Sequence, residues 1–408
     1  MIGWEYPPHN SGGLGVACEG MTQALSQQNT ELFFTLPYHY SGPVGHMQVL
    51  ECSDPSWLIQ PGTTSDEPPF MAYTPTFKPL PQIRTGVVSS HQLRSMPQSE
   101  FENKVEQYAQ KVTDAGMHRA KQFDVIHAHD WMSFPAALKL SAKSGKPYIA
   151  HIHSTEYDRV PHGYGSAYIT NTEYQGMLHA QRVVAVSYYT KRLLVEKYGI
   201  ASQAITVVHN GITDLSQPTD PGRHHFASKR PVIVFMGRLT MQKGAEYFLK
   251  LAEAVVKAIP DALFVVAGNG DMYHELLFRS AYDKLSASVV FSGFLRDGQK
   301  AKLLDRADVF VMPSVSEPFG LVALEAAQRH TPVIISKNAG VSEVLKGSIA
   351  LDFWDIQGMT KQIVSLLTDE SRAAQVRAAQ LNDLQRTTWS SAAQHLRQVY
   401  RSAFTATT

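Results

Sequence analysis

A doubly wound α/β architecture is predicted by three features of the sequence. Short apolar runs rich in Val and Ile recur along the chain, they lack the alternation of a half-exposed sheet, and helix-length stretches separate them. Such runs fit strands covered on both faces, as in a parallel sheet between two helix layers. In chain order they are Asp124–His129, Pro147–His153, Arg182–Ser187, Ile205–His209, Pro231–Gly237, Ala262–Gly268, Ser288–Gly293, Ala307–Pro313 and Pro332–Ser336. Helices are predicted over Tyr189–Tyr198, Gly244–Ala258 and Gly320–His330, and Met1-Ile2-Gly3-Trp4 gives a very short first strand. Ligands in such folds bind beyond the carboxyl ends of the strands.

The βα units fall into two sets. The first, residues 1–212, closes at His209-Asn210-Gly211-Ile212. The polar segment Thr213–Arg230, with two prolines and a glycine, reads as a linker. The second set starts at Pro231, so a second domain spans 213–387. A last helix, Thr388–Phe404 within 388–408, carries Ala392, Leu396, Val399 and Phe404 at helical spacing. Pro37–Pro97, rich in Pro, Gly and Ser, reads as a long active-side loop or an insertion and is given no internal structure.

Composition narrows the function. Lys plus Arg (37) nearly cancels Asp plus Glu (36), a formal charge of +1, which argues against a nucleic-acid or anionic-membrane binder. Hydrophobic residues make up 44% and charged ones 18%, enough apolar material for sizeable cores. Cys18 and Cys52 are too few for a disulfide framework and lack zinc-type spacing. No apolar run reaches the ~20 residues of a membrane span, and no signal-peptide pattern opens the chain. A cytoplasmic enzyme is the expectation.

Common catalytic motifs are absent: there is no GxxxxGK[ST], GxSxG or HExxH. Three phosphate-type signals are present. Ser11-Gly12-Gly13-Leu14-Gly15 joins the first strand to a helical stretch, and glycines there let the backbone approach an anion at a helix N-terminus. A tight strand-to-helix turn explains it equally well. Arg238 and Lys243 in Gly237-Arg238-Leu239-Thr240-Met241-Gln242-Lys243-Gly244 combine a planar fork with a mobile point charge, a pairing suited to a diphosphate; two exposed surface cations are the plain alternative. In Ser316-Glu317-Pro318-Phe319-Gly320-Leu321-Val322-Ala323-Leu324-Glu325, Pro318 keeps Glu317 out of helical geometry. The amides of Gly320 and Leu321 then open a helix as a third anion site, with Glu325 about two turns below Glu317. Helix capping by Glu317 and a solvated Glu325 is the bland reading.

Histidines gather at two strand ends, His127-Ala128-His129-Asp130-Trp131 and His151-Ile152-His153-Ser154-Thr155-Glu156. Residues two apart on a strand share a face. Sugar contacts, a metal site and satisfied structural histidines all remain open for them.

Taken in this order, GGLG, HAHDW, HxHSTE, GRLTMQKG and EPFGLVALEAA resemble the retaining GT-B glycosyltransferases of families 4 and 5, particularly glycogen- and starch-synthase-like members, over about Met1 to Tyr400. The resemblance implies two Rossmann-like domains facing a central cleft, with the C-terminal helix crossing back to the N-terminal domain. It implies that Arg238 and Lys243 bind the diphosphate, that Gly12, Gly13, Gly320 and Leu321 meet the phosphates, and that Glu325 binds the ribose. Glu317, His153 and Asp130 are implied to hold the transferred sugar, with no metal ion and no bound cofactor. A nucleotide sugar, UDP-glucose or ADP-glucose, is the implied co-substrate, and a carbohydrate or other hydroxyl compound the acceptor. Asn10 stands where starch and bacterial glycogen synthases carry Lys, and Phe319 where they commonly carry Cys. A hydrolase with paired carboxylates has no need of the phosphate sites. The rivals are a sugar-nucleotide 2-epimerase on the same scaffold and a non-catalytic nucleotide-sugar-binding protein.

Overall fold

The computed structural model describes residues 1–9, 12–40, 44–52, 98–161, 163, 165–213 and 230–405. Asn10, Ser11, most of the Pro37–Pro97 segment and most of the Thr213–Arg230 segment lie outside the described residues.

Two parallel sheets are present. The first holds β1 (Phe33–Leu36), β2 (Gln48–Glu51), β3 (Ile126–His129), β4 (Tyr148–Ile152), β5 (Arg182–Ala185) and β6 (Ile205–Val207). Met1–Gly3 is its central rung: Ile2 bridges Thr35 on one side and Ala128 on the other. Ile2 N donates to His127 O (2.8 Å) and His129 N to Ile2 O (3.0 Å), so the short first strand read from sequence joins β1–β2 to β3–β6. Its helices are α1 (Gly13–Ser26), α2 (Gln98–Met117), α3 (Phe134–Ser144), α4 (Glu156–Arg159), α5 (Ala167–Leu178) and α6 (Tyr188–Tyr198).

The second sheet runs β12-β11-β10-β7-β8-β9, with β7 (Val232–Met236), β8 (Leu263–Ala267), β9 (Val289–Gly293), β10 (Val309–Met312), β11 (Val333–Ser336) and β12 (Ile349–Leu351). Its helices are α7 (Ala245–Ala258), α8 (Tyr273–Tyr282), α9 (Asp297–Arg306), α10 (Leu321–Gln328), α11 (Ile356–Thr368) and α12 (Glu370–Leu384). The chain starts in the middle at β7, winds out to β9, and returns to build β10–β12 on the other side. This strand order reverses between β7 and β10, which is where a ligand crevice forms.

Double-sided burial explains the missing alternation. Ile233 and Phe235 of β7 enter the core with Phe248, Leu251 and Ile363, whereas Val232 and Val234 enter the opposite one with Ala323, Leu324 and Leu384. Three strands escaped the sequence: β1, β2 and β12. The last two expose part of every side-chain pattern, so they carry no continuous apolar run.

Helix α13 (Trp389–Thr405) leaves the second domain and packs in the first domain's core through Trp389, Ala393, Leu396, Val399 and Tyr400. Phe404, expected on its apolar face, is exposed, and Ala403 takes the buried position instead. Both crossovers lie side by side, with Ile212 N donating to Thr387 O (3.0 Å). No described helix is long and apolar enough to cross a membrane.

Candidate active site

Every motif read from the sequence leaves the carboxyl end of a strand. On the second domain, β7 feeds the loop of Arg238 and the single turn Met241–Lys243. Gly244 ends that turn at φ 69°, and a Cβ there would lie 2.0 Å from Pro313 O. A side chain is thus excluded by backbone on both counts, which holds the Lys243 turn tightly against the loop after β10. Val315 N donates to Gln242 O (2.9 Å), tying the two loops together.

Glu317 sits in the loop before α10, as Pro318 requires. Its backbone is pinned by Glu317 N to Asn338 O (3.0 Å) and Gly340 N to Glu317 O (2.9 Å). Glu317 is 6% exposed, and its Oε2 lies 2.6 Å from Lys243 Nζ and 3.3 Å from Ser314 Oγ. Residues 74 positions apart, assigned separate tasks by motif, therefore form one ion pair at the crevice. Arg238 is half-buried in the neighbouring loop.

Helix α10 begins at Gly320 (φ 105°) with no side-chain cap, and α1 begins after Gly12 likewise uncapped. Leu321 Cδ1 is 3.8 Å from where a Cβ on Gly13 would stand, so the two helix N-termini meet across the cleft. First-turn N–H groups without a capping side chain can donate to an anion. On the second turn of α10, Glu325 Oε1 accepts from Lys300 Nζ (3.0 Å) while Oε2 is buried without a partner. Lys300 carried no motif and was missed by sequence.

The first domain contributes His153 and Asp130, and here the expectations divide. His127, His129 and His151 are buried. His129 faces His151 in register, which merges the two sequence pairs into one quartet on a single sheet face. His127 pairs with Tyr400 OH of α13 (2.7 Å) and His151 Nδ1 (3.0 Å); His129 Nδ1 pairs with His153 Nε2 (3.1 Å). Three of the four are buried, His129 Nε2 and His151 Nε2 having no hydrogen-bond partner, and His153 is half-buried. Nitrogens of His127, His129 and His151 lie within 4.8 Å of one another, but ring-to-ring bonds and Tyr400 already occupy most of them.

Asp130 lies at the carboxyl end of β3. It is 2% exposed, with φ 58°, and Oδ1 accepts from His153 N (2.7 Å) and Ser154 N (3.3 Å). These two bonds clamp the backbone of the His153 loop to Asp130. Burial pushes this carboxyl up to about 7, against the pull of those N–H bonds and of Arg159.

Burial drives His127, His129 and His151 far below the usual histidine range and His153 down to about 3. An unfolded histidine binds its proton near pH ~6.5 and the native one refuses it, so each site lowers stability as pH falls below that value. His151→Leu removes one such site. The slope of unfolding free energy against pH, followed by denaturant titration between about pH 6 and 4, is expected to fall by one proton, about 1.4 kcal/mol per pH unit. An unchanged slope means that the native imidazole is already charged.

Comparison with known proteins decides the family. Residues 216–382 match the family described as Glycosyl transferases group 1, and residues 72–214 match Glycosyltransferase Family 4. An uncharacterized glycosyltransferase of Methanocaldococcus jannaschii is 30% identical over 366 residues, 86% of this chain and 83% of that protein. The chain belongs to the group 1 glycosyltransferases. This glycosyltransferase is also 28% identical to the glycogen synthase of Mycobacterium tuberculosis over 421 residues, 99% of this chain and 94% of that one. Among solved structures, sucrose-phosphate synthase of Thermosynechococcus elongatus superposes with a TM-score of 0.75 at 17% identity, covering 99% of this chain and 98% of that one. The glycosyltransferase thus has the GT-B fold, with two Rossmann-like domains.

Proposed function

We propose that this glycosyltransferase moves a glucosyl group from a nucleotide diphosphate sugar, UDP-glucose or ADP-glucose, to a carbohydrate or other hydroxyl acceptor, with retention at the anomeric carbon. The observation that carries the proposal is the Lys243–Glu317 pair at the strand-order reversal, beside two uncapped helix N-termini. A glycosyl–phosphate bond breaks through an oxocarbenium-like state and leaves charge on the diphosphate. Arg238, Lys243 and the amides of Gly12, Gly13, Gly320 and Leu321 meet that charge, so the chemistry needs no divalent ion. Glu325, steadied by Lys300, holds the ribose. Glu317 and His153 hold hydroxyls of the sugar, and Asp130 acts through the His153 loop. The acceptor oxygen attacks from the face that the diphosphate leaves. Its bond to the anomeric carbon forms as the carbon–phosphate oxygen bond breaks, and the departing phosphate oxygen takes the acceptor's proton.

Relatedness to a glycogen synthase supports glucose and a glucan-type acceptor. Thermal-shift screening against a panel of nucleotide sugars, followed by chromatography with and without maltooligosaccharides, tests the assignment. Stabilisation by UDP-glucose or ADP-glucose, with nucleotide released only in the presence of acceptor and undiminished by EDTA, is expected. Conversion of the donor to an isomer without acceptor supports an epimerase instead, and binding without release a sensor.

A further inference from the structure

The loop that follows His153 also reaches the second domain, at the residues on either side of Glu317. Asp158, on α4, is 0% exposed. Its Oδ2 accepts from Thr155 N and Thr155 Oγ1 (2.8 Å each), which fixes the carboxylate within its own turn. Its Oδ1 accepts from Ser316 Oγ at 2.6 Å, and Tyr189 OH donates in turn to Ser316 Oγ at 2.9 Å. Ser316 immediately precedes Glu317. On the other flank, Ser187 Oγ donates to Pro318 O at 2.7 Å, and Gly340 leaves the room that this approach needs. Asp158, Ser187 and Tyr189 all belong to the first domain, whereas Ser316 and Pro318 belong to the second.

We infer that Asp158 is a positioning residue, which through Ser316 locks the Glu317 loop at a fixed distance from the His153 loop across the cleft. The inference rests on Glu317 being a sugar contact. Two features raise it above ordinary interdomain packing. The bonded groups are the immediate neighbours of Glu317, and the acceptor is a buried carboxylate that would be left without this donor if the loops parted. Bonds to a charged acceptor contribute about 1.5–3 kcal/mol, so the loss of one changes local opening by tenfold or more. Asp158→Asn keeps the shape but replaces one acceptor with a donor, and Ser316→Ala removes the hydroxyl.

Amide hydrogen exchange reads the lock without any substrate. Peptides covering 313–321 are expected to exchange about tenfold faster in Asp158→Asn and in Ser316→Ala, and no faster in the double variant, because both changes break the same bond. Peptides covering β7 and β8 are expected to keep the parent's protection. With the nucleotide sugar that the panel identifies, kcat is expected to fall about tenfold while the donor KM moves less than about threefold. Unchanged exchange at 313–321, or faster exchange everywhere, overturns the inference. Glu317→Gln, assayed in parallel, keeps the two failures apart. Full activity in that variant sinks the role of Glu317, whereas a faster-exchanging loop in Asp158→Asn still establishes the lock.

Discussion

Glu317→Gln is expected to lower kcat by about 10²–10³-fold while leaving a folded protein. The magnitude is what a transition-state contact in a closed site typically supplies. Gln keeps the shape and an oxygen for Ser314, but it cannot share charge with Lys243. The side chain of Lys243 is 21% exposed, so the cation left behind still reaches water. A stability loss of about 1–3 kcal/mol follows from the broken charged bond, far short of unfolding a GT-B chain. Steady-state kinetics beside a thermal melt separate the two effects. Wild-type turnover in the variant would remove Glu317 from the site.

Lys243→Met is expected to act on kcat/KM for the donor, by about 10²–10³-fold, with both parameters moving. Lys243 meets the diphosphate before and during bond breaking, so part of its contribution is ground-state binding. A second penalty arises inside the site, because the substitution strips Glu317 Oε2 of its 2.6 Å partner. The double variant Glu317→Gln/Lys243→Met is therefore expected to be less impaired than the product of the single effects. Multiplicative losses would mean that the two residues work independently.

How much of this was legible beforehand follows burial. Strands buried along their whole length, such as β4, β10 and β11, leave short apolar runs that were readable, and β6 and β9 were readable despite exposed positions. Edge strands β2 and β12 show partly exposed patterns and leave no such run. Helix α13 was readable as amphipathic, and its destination came from family resemblance rather than from its residues. In the site, Lys243, Glu317 and Glu325 stood out because each lies in a compact motif at a strand end. Their partners Lys300 and Ser314 did not, nor did Asp158, the partner of Ser316: these have ordinary neighbours and acquire meaning only through tertiary contact. The histidine quartet shows the same limit. Each pair is visible on its strand, but the register that sets His129 opposite His151 is a property of the sheet. That register gathers His127, His129 and His151 into one buried group and leaves His153 half-buried. For Asp130, sequence gives the location after β3 but not the two backbone N–H groups that bond its Oδ1.

The central claim is glycosyl transfer with retention, and the anomeric configuration of the product tests it most directly. Proton NMR of the first-formed product from an α-configured nucleotide sugar, recorded before mutarotation or further transfer, reads the new linkage through the coupling constant of its anomeric proton. An α linkage is the predicted result; a β linkage from the same donor would contradict it.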